Sequence, residues 1–300
     1  MNTPFRTAAF LLGGVFAAAA GASAQTPPKL EAAVSLDVQV FDNFFQAPAP
    51  EDGLTVMATR LIGRVGGPFD ADQPVKIFGE AGRTWYSEFS ASTIFGGIVQ
   101  ANGREHSFDA GVRFELDRPV VDVGDEFGQA DVFSIDGEYG YRVDQDWEVK
   151  GLFDLQRQSF AVRPDRTNTI FGGGGGVRYR GFGSVFSPEV GLVTGSRDVV
   201  DPSEDHSQTE LYVRVRSTPV PPVYLSVRYR RRARDYSTDG VDLRNFGRED
   251  RRSDLTVLTV VRVARNLSLN VYYAFLDANS TLPSRTFRNQ LLSFGLTVTR

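Results

Sequence analysis

Residues 132–155 read VFSIDGEYGYRVDQDWEVKGLFDL, and the reading of this stretch decides the fold. From Val132 to Val143, Phe133, Ile135, Tyr139, Tyr141 and Val143 fall on one face, and Ser134, Asp136, Glu138 and Arg142 on the other. Successive side chains of an extended chain point to opposite sides, so this alternation predicts a strand with one apolar and one polar face. The polar link Asp144–Asp146 follows, and the alternation resumes at Trp147–Leu155. Two such runs joined by a short polar link make a hairpin.

The same pattern extends in both directions. Leu30, Ala32, Val34, Leu36, Val38 and Val40 alternate with Glu31, Ala33, Ser35, Asp37 and Gln39. Phe108, Ala110, Val112, Phe114 and Leu116 alternate with Asp109, Gly111, Arg113, Glu115 and Asp117. Alternation recurs at Leu211–Val215, Val223–Tyr229, Leu255–Val263, Leu267–Phe275 and Leu292–Val298. Beyond residue 24 no 3.6-residue pattern is long enough for a helix, so the chain reads as all-β.

Loop lengths separate a membrane barrel from a soluble sandwich. Short links at Asp144–Asp146, Pro219–Pro222 and Ala264–Asn266 are interspersed with long polar ones at Arg118–Ala130, Ala161–Asn168, Asp198–Ser207, Ser237–Arg252 and Asp277–Thr286. Short periplasmic turns and longer outer loops are the pattern of outer-membrane barrels, whose strands alternate lipid-facing and lumen-facing residues. The expected fold is a transmembrane antiparallel up-and-down β-barrel of about 14 strands, an even number that returns the C-terminus to the side of the N-terminus. Twelve is the alternative count, because in residues 44–104 the stretch Lys76–Gln100 can hold one bent strand or a hairpin. A weak repeat supports the hairpin unit: Arg142–Phe153 aligns with Arg262–Tyr273, and Pro221-Pro222 occupies the same place before Val223. Turn residues that pin strand register account for it.

The N-terminus gives the compartment. Arg6 precedes the apolar run Ala8–Ala20, and Ala22, Ser23 and Ala24 form a small-x-small cleavage pattern before Gln25. Residues 1–24 therefore read as a secretory signal peptide and residues 25–300 as the barrel domain, destined for the outer membrane of a Gram-negative bacterium. With no cysteine among the 300 residues, a lipid-anchored N-terminus, disulfides and thiol catalysis are excluded. Cleavage removes one of the 33 basic residues and none of the 37 acids, leaving a formal charge of −5. Such a chain is a poor nucleic-acid binder. No run of eighteen apolar residues follows the cleavage site, so no helix is expected to span a membrane.

Function should be written on the polar faces. Arg228, Arg230, Arg232 and Arg234 share one face of the strand from Val223, opposite Val223, Leu225, Val227 and Tyr229. Arg214 and Arg216 lie on the polar face of the preceding strand, and Arg178 and Arg180 on an earlier one. Asp109, Glu115, Asp136, Glu138 and Asp154 occupy polar faces earlier in the chain. A charge facing lipid costs ~2–4 kcal/mol near mid-bilayer, so both sets are assigned to the lumen. Seven arginines (Arg178, Arg180, Arg214, Arg216, Arg228, Arg230 and Arg232) then form a basic wall, and the five carboxylates an acidic one. Either the walls oppose each other across a pore and select solutes, or their charges pair and brace a closed lumen.

Other constellations are weaker. His106 and His206 are the only histidines, and without thiolates their spacing matches no metal site; no metal and no cofactor are expected. A Ser-His hydrolase pair would have to come from Ser203, His206 and Ser207, which read more simply as a solvated loop; the chain is not expected to be an enzyme. Gly172–Gly176 lacks the Lys-Ser/Thr of a phosphate loop and reads as a place where a strand bends or another side chain fills the lumen. Asp122, Asp125, Glu126 and Asp131 match no calcium-loop spacing and read as a hydrated loop rather than a cation site bridging lipopolysaccharide.

Phe41-Asp-Asn-Phe-Phe45, Asn266-Leu-Ser-Leu-Asn-Val-Tyr-Tyr273 and the stretch Arg285–Val298 resemble the β-barrel porin type 2 proteins. The resemblance covers most of residues 25–300 and implies a channel or export barrel, since that family often accompanies exopolysaccharide or capsule export. Polar or anionic solutes, acidic polysaccharide among them, follow from the inner arginines alone. The alternatives are a structural or surface-interaction barrel with a closed lumen or a surface-protein secretion barrel. The resemblance implies as partners the outer-membrane lipid and lipopolysaccharide, the barrel-insertion machinery and a polysaccharide-export system. Arg252-Ser-Asp254 before a late strand is similar to the barrel of surface-lipoprotein assembly modifiers, whose helical periplasmic repeat domain has no room here. One departure is the C-terminus, which ends Leu296-Thr-Val-Thr-Arg300 where outer-membrane barrels usually end in an aromatic residue.

Overall fold

A computed structural model describes residues 30–43, 54–68, 75–121, 127–183, 185–236 and 245–300. The signal peptide assigned to residues 1–24 lies outside the described residues, as do Asp122, Asp125 and Glu126.

Fourteen strands form one closed antiparallel barrel. In chain order they are β1 Glu31–Phe41, β2 Val56–Pro68, β3 Val75–Tyr86, β4 Ser92–Asn102, β5 His106–Val121, β6 Phe127–Arg142 and β7 Trp147–Phe160. They continue as β8 Asn168–Tyr179, β9 Ser187–Val199, β10 His206–Val220, β11 Val223–Tyr236, β12 Glu249–Ala264, β13 Leu267–Ser280 and β14 Phe287–Thr299. Each strand pairs with its sequence neighbours, and β1 pairs with β14 to close the ring. Closure removes the sheet edge, so every strand finds backbone partners on both sides. Arg300 finishes the seam: its N–H donates to the Ala32 carbonyl at 2.8 Å, and its own carbonyl accepts the Ala32 N–H at 3.2 Å.

Lys76–Gln100 resolves as a hairpin, β3 and β4, so the count is fourteen and not twelve. Strands run from 11 to 16 residues, longer than the alternation alone suggests. The largest difference falls on Arg118–Ala130, expected as a long loop. There the register of β5 on β6 shifts between Glu115 and Arg118, with Asp117 at φ 57°, and pairing then continues to Val121 opposite Phe127. An extra residue in a left-handed conformation breaks the two-residue period while leaving the strand intact. Asp tolerates that conformation better than most residues, and its N–H is satisfied by the Asp131 carboxylate at 3.2 Å. Similarly, β12 begins at Glu249, inside the expected loop Ser237–Arg252. At the other end, residues 180–186 join β8 to β9 by a longer link than the Asp144–Asp146, Pro219–Pro222 and Ala264–Asn266 turns predict.

Burial is inverted relative to a soluble sheet. Val34, Leu36 and Val38 on β1, Leu211 and Val213 on β10, and Phe294, Leu296 and Val298 on β14 are exposed. The intervening Asp37 and Arg214 are half-buried and Gly295 is buried, all on the inner side. An apolar exterior around a polar interior suits hydrocarbon outside the ring. Aromatic residues edge this band. Trp147 and Tyr179 stand 4.9 Å apart and His106 lies 5.2 Å from Tyr141 at the turn end, while Phe114 contacts Phe95 and Phe133 nearer the loop end. Exterior charges such as Arg157, Arg231, Arg251 and Arg288 lie toward the loop end of their strands, beyond the apolar band.

Candidate functional site

Register fixes which side chains meet inside. Asp109 is opposite Glu138, Asp136 opposite Asp154, Arg178 opposite Glu189, and Arg214 opposite both Glu189 and Arg228. The period of two then carries each face along its strand, so all five expected acids and six of the seven expected arginines are lumen-facing strand residues. Arg180 follows the end of β8 and reaches Glu148 at 3.1 Å.

The two walls partly exist. A cavity of about 610 Å³ is lined on one side by Asp109, Asp136 and Asp154 and on the other by Arg216, Arg228, Arg230 and Arg232. A second, of about 450 Å³, lies toward the turn end and shares Arg216, Arg228 and Arg230, with Arg214 and Asp254 beside them. Simple opposition of basic and acidic walls is corrected, because carboxylates are built into the basic wall itself. Glu210 binds Arg228 at 2.9 Å, Arg232 at 2.9 Å and Arg230 at 3.6 Å, and Arg230 also meets Asp254 at 3.0 Å. Glu148 binds Arg178 at 3.5 Å, and Glu189 faces Arg214 at 3.8 Å and Arg216 at 3.6 Å. Glu138, placed in the acidic wall by the sequence, pairs with Lys150 and reaches Arg216 at 4.0 Å. Glu115 accepts the Ser92 hydroxyl at 2.9 Å and lies 3.8 Å from Arg118, away from the central cavity. Arg228, Arg230 and Arg232, the arginine ladder of β11, thus each have a carboxylate, yet Glu210 alone serves all three. The shared anion leaves the arginine wall with positive charge in excess.

The glycine run does what its sequence reading allows. Tyr212, 1% exposed, lies across Gly176 and Gly191: a Cβ at Gly191 would stand 2.5 Å from its ring, and one at Gly176 2.7 Å from its hydroxyl. A Cβ at Gly172 would collide with the Asp154 carboxylate. Missing side chains on β8 and β9 therefore make room for large ones from neighbouring strands. Gly191→Val is expected to cost about 1–3 kcal/mol through overpacking. The unfolding midpoint, read from heat modifiability in detergent gels, checks it. Gly151→Ala, with nothing within 4 Å of the new carbon, should leave that midpoint unchanged.

No protein-family model matches this chain, and no curated protein sequence matches it. Solved structures do. OmpT, an outer membrane protein of Vibrio cholerae, superposes with a TM-score of 0.50 at 8% identity over 91% of this chain and 97% of its own. The anion-selective porin from Comamonas acidovorans gives 0.46 at 11% identity over 91% and 99%. DcaP, an outer membrane channel of Acinetobacter baumannii, gives 0.48 at 10% identity over 91% and 96%. The chain has the fold of an outer-membrane barrel.

At the loop end the lumen is filled by a device that the sequence reading passed over. Among the described residues, three loop-end links carry a short 3₁₀ turn with proline at its start: Pro164–Arg166, Pro202–Glu204 and Pro283–Arg285. In each, the third turn residue is buried, and the next side chain accepts an N–H from the preceding strand. Thr167 takes Phe160 N at 3.4 Å, Asp205 takes Val199 N at 2.6 Å, and Thr286 takes Ser280 N at 3.2 Å. The following residue, Asn168, His206 or Phe287, is buried at the head of the next strand. The recurring Pro-x-Arg/Glu-Thr/Asp was visible in the sequence. It spaces a buried side chain over the lumen three times.

The first two of these turns interlock. Arg166 pairs with Glu204 at 3.4 Å, Asn245 donates to the Ser203 carbonyl at 2.8 Å, and Arg248 donates to Asn245 and Asp250. Asp201, at the head of its turn, is held below the usual carboxylate range by hydrogen bonds from the Ser203 side chain and peptide N–H. His206 belongs to this buried layer, not to a solvated loop as its sequence setting suggested. Its Nδ1 donates to the Glu204 carbonyl at 3.0 Å and its ring packs 4.8 Å from Tyr236. Beside β6, Ala130, Val132 and Phe160 form a small apolar cluster inside the lumen.

Proposed function

We propose that the protein is an outer-membrane channel barrel through which small polar solutes, anions in preference to cations, pass by way of the central cavity. The observation that carries this is the cavity of about 610 Å³ walled by Arg216, Arg228, Arg230 and Arg232 and faced by Asp109, Asp136 and Asp154. Fixed positive charge along a narrow path lowers the barrier for anions and raises it for cations. The facing acids set up a transverse field that would orient a solute carrying both a charge and hydroxyls. The volume lies within the ~300–1,000 Å³ of small-molecule sites, so a small anionic solute fits, whereas an acidic polysaccharide would have to thread through. Placement in the outer membrane rests on the apolar exterior band, the even strand count and the N-terminal export signal.

A second reading, a braced barrel with a closed lumen, is favoured by the pairing of every ladder arginine and by the filled loop end. Purified protein in a planar bilayer separates the two. Discrete conductance steps with a reversal potential favouring anions are expected. Insertion without conductance, checked by heat modifiability of the same sample, would instead establish the closed barrel.

A further inference from the structure

Between the buried layer at the loop end and the central cavity stand three arginines whose charges all act on His206. Arg197 on β9 is opposite His206 on β10, which is in turn opposite Tyr236 on β11. Arg234 on β11 lies opposite Gln208 and Asp250, and Arg252 on β12 opposite Arg232. Arg252 is 9% exposed and His206 5%. The Nε atoms of Arg197, Arg234 and Arg252 are all buried without a hydrogen-bond partner, and among the described residues none of the three forms an ion pair.

Their surroundings differ from those of the ladder. The strongest charges on Arg234 are those of Arg252 and Arg232, followed by the Tyr236 phenol and Arg197. Asp250, the nearest candidate counter-charge by register, is committed to Arg248, whose Nε and Nη2 donate to it at 2.8 and 2.5 Å. Arg252 is steadied by the Phe287 ring, 5.4 Å from its guanidinium carbon, and lies within reach of Asp250 and Asp254 without forming an ion pair with either. Arg60, whose Nε is also unpartnered, sits within reach of three carboxylates, Asp37, Glu80 and Glu115.

Buried charges are tolerated when something pairs with them, and the three guanidinium groups gathered about His206 have within reach only Asp250 and Asp254, already committed to Arg248 and Arg230. The planar guanidinium fork matches the geometry of oxyanions. We propose that Arg197, Arg234 and Arg252 form an oxyanion-binding site, for the phosphate, sulfate or carboxylate group of a small solute, at the loop-end neck of the lumen. The site goes beyond the channel reading and does not depend on it, since an anion can bind there whether or not the barrel conducts.

Equilibrium dialysis of the folded barrel in detergent against labelled inorganic phosphate, at fixed chloride and ionic strength, tests the site. Saturable binding is expected, competed by sulfate. Arg234→Gln and Arg252→Gln should each weaken it at least about tenfold, the loss typical of a charge-assisted hydrogen bond. Arg157→Gln removes the same charge from the exposed outer face and should leave the affinity as it was. Should the glutamine variants not fold, Arg252→Lys keeps the charge and removes the fork. In wild type alone, phosphate should also raise the unfolding midpoint above that in chloride. Non-saturable binding, or equal affinity in Arg234→Gln and Arg157→Gln, would overturn the site. A barrel that binds phosphate but conducts nothing overturns only the channel, and one that conducts without saturable binding overturns only the site.

Discussion

Lys150→Met is expected to lower the unfolding free energy by about 3 kcal/mol, the low end of what breaking a buried ion pair costs. Lys150 and Glu189 are each 1% exposed in their side chains, 3.0 Å apart, and Glu138 meets the same ammonium. Methionine keeps the length and packing of the lysine stem and removes only the charge. Glu189 then stays inside with Arg214 and Arg216 at 3.8 and 3.6 Å, distances that compensate it incompletely and hold the estimate at the low end. Removing both charges with Lys150→Met and Glu189→Gln should recover part of the loss, because no fully buried ion is then stranded, although half-buried Arg214 gives up its carboxylate. Urea unfolding in lipid vesicles measures both variants. A single variant as stable as wild type would mean that water reaches Glu189, and with it that the lumen is open at this level.

Which parts of this arrangement were legible follows from which forces act locally. Strand phase is local: Arg228, Arg230 and Arg232 could only lie on one side of β11, and lipid at the other side fixed which side that was. Register is not local, so the partners of those arginines could not be read. Glu210 stands one residue before Leu211, where the clear alternation on β10 begins, and extending the period back by that residue would have placed it in the lumen beside Tyr212 and Arg214. Glu189 was hidden differently. Gly191, Val193 and Gly195 follow Glu189 on the lumen face and leave it without a polar pattern, and the glycines are there because Tyr212 and the β8 backbone need the space. At Asp117 the chain inserts a residue, so an intact strand read as a loop. The three proline turns carried a sequence signal, but one whose meaning depends on the barrel curving their buried residues toward a common centre.

Replacing Arg228, Arg230 and Arg232 with glutamine should move the reversal potential toward cations, and the structure adds a condition that the ladder by itself would not suggest. All three contact Glu210, which is buried. The triple variant therefore strands this carboxylate near Asp154 and Asp136, which gives the strongest cation preference but also a loss of stability of about 3–5 kcal/mol. Adding Glu210→Gln removes the stranded charge. That quadruple variant takes away three positive charges and one negative, so the wall changes by two units, the fold is spared, and anion preference should fall toward neutrality. Both effects should fade at about 1 M salt, where screening shortens the reach of a charge to ~3 Å. The measurement is the zero-current potential across a bilayer with a salt gradient, for wild type, triple and quadruple variants, each checked for its heat-modifiable band. A folded, conducting quadruple variant with wild-type selectivity would reject the arginine wall as the selective element and move attention to the neck formed by Arg197, Arg234 and Arg252.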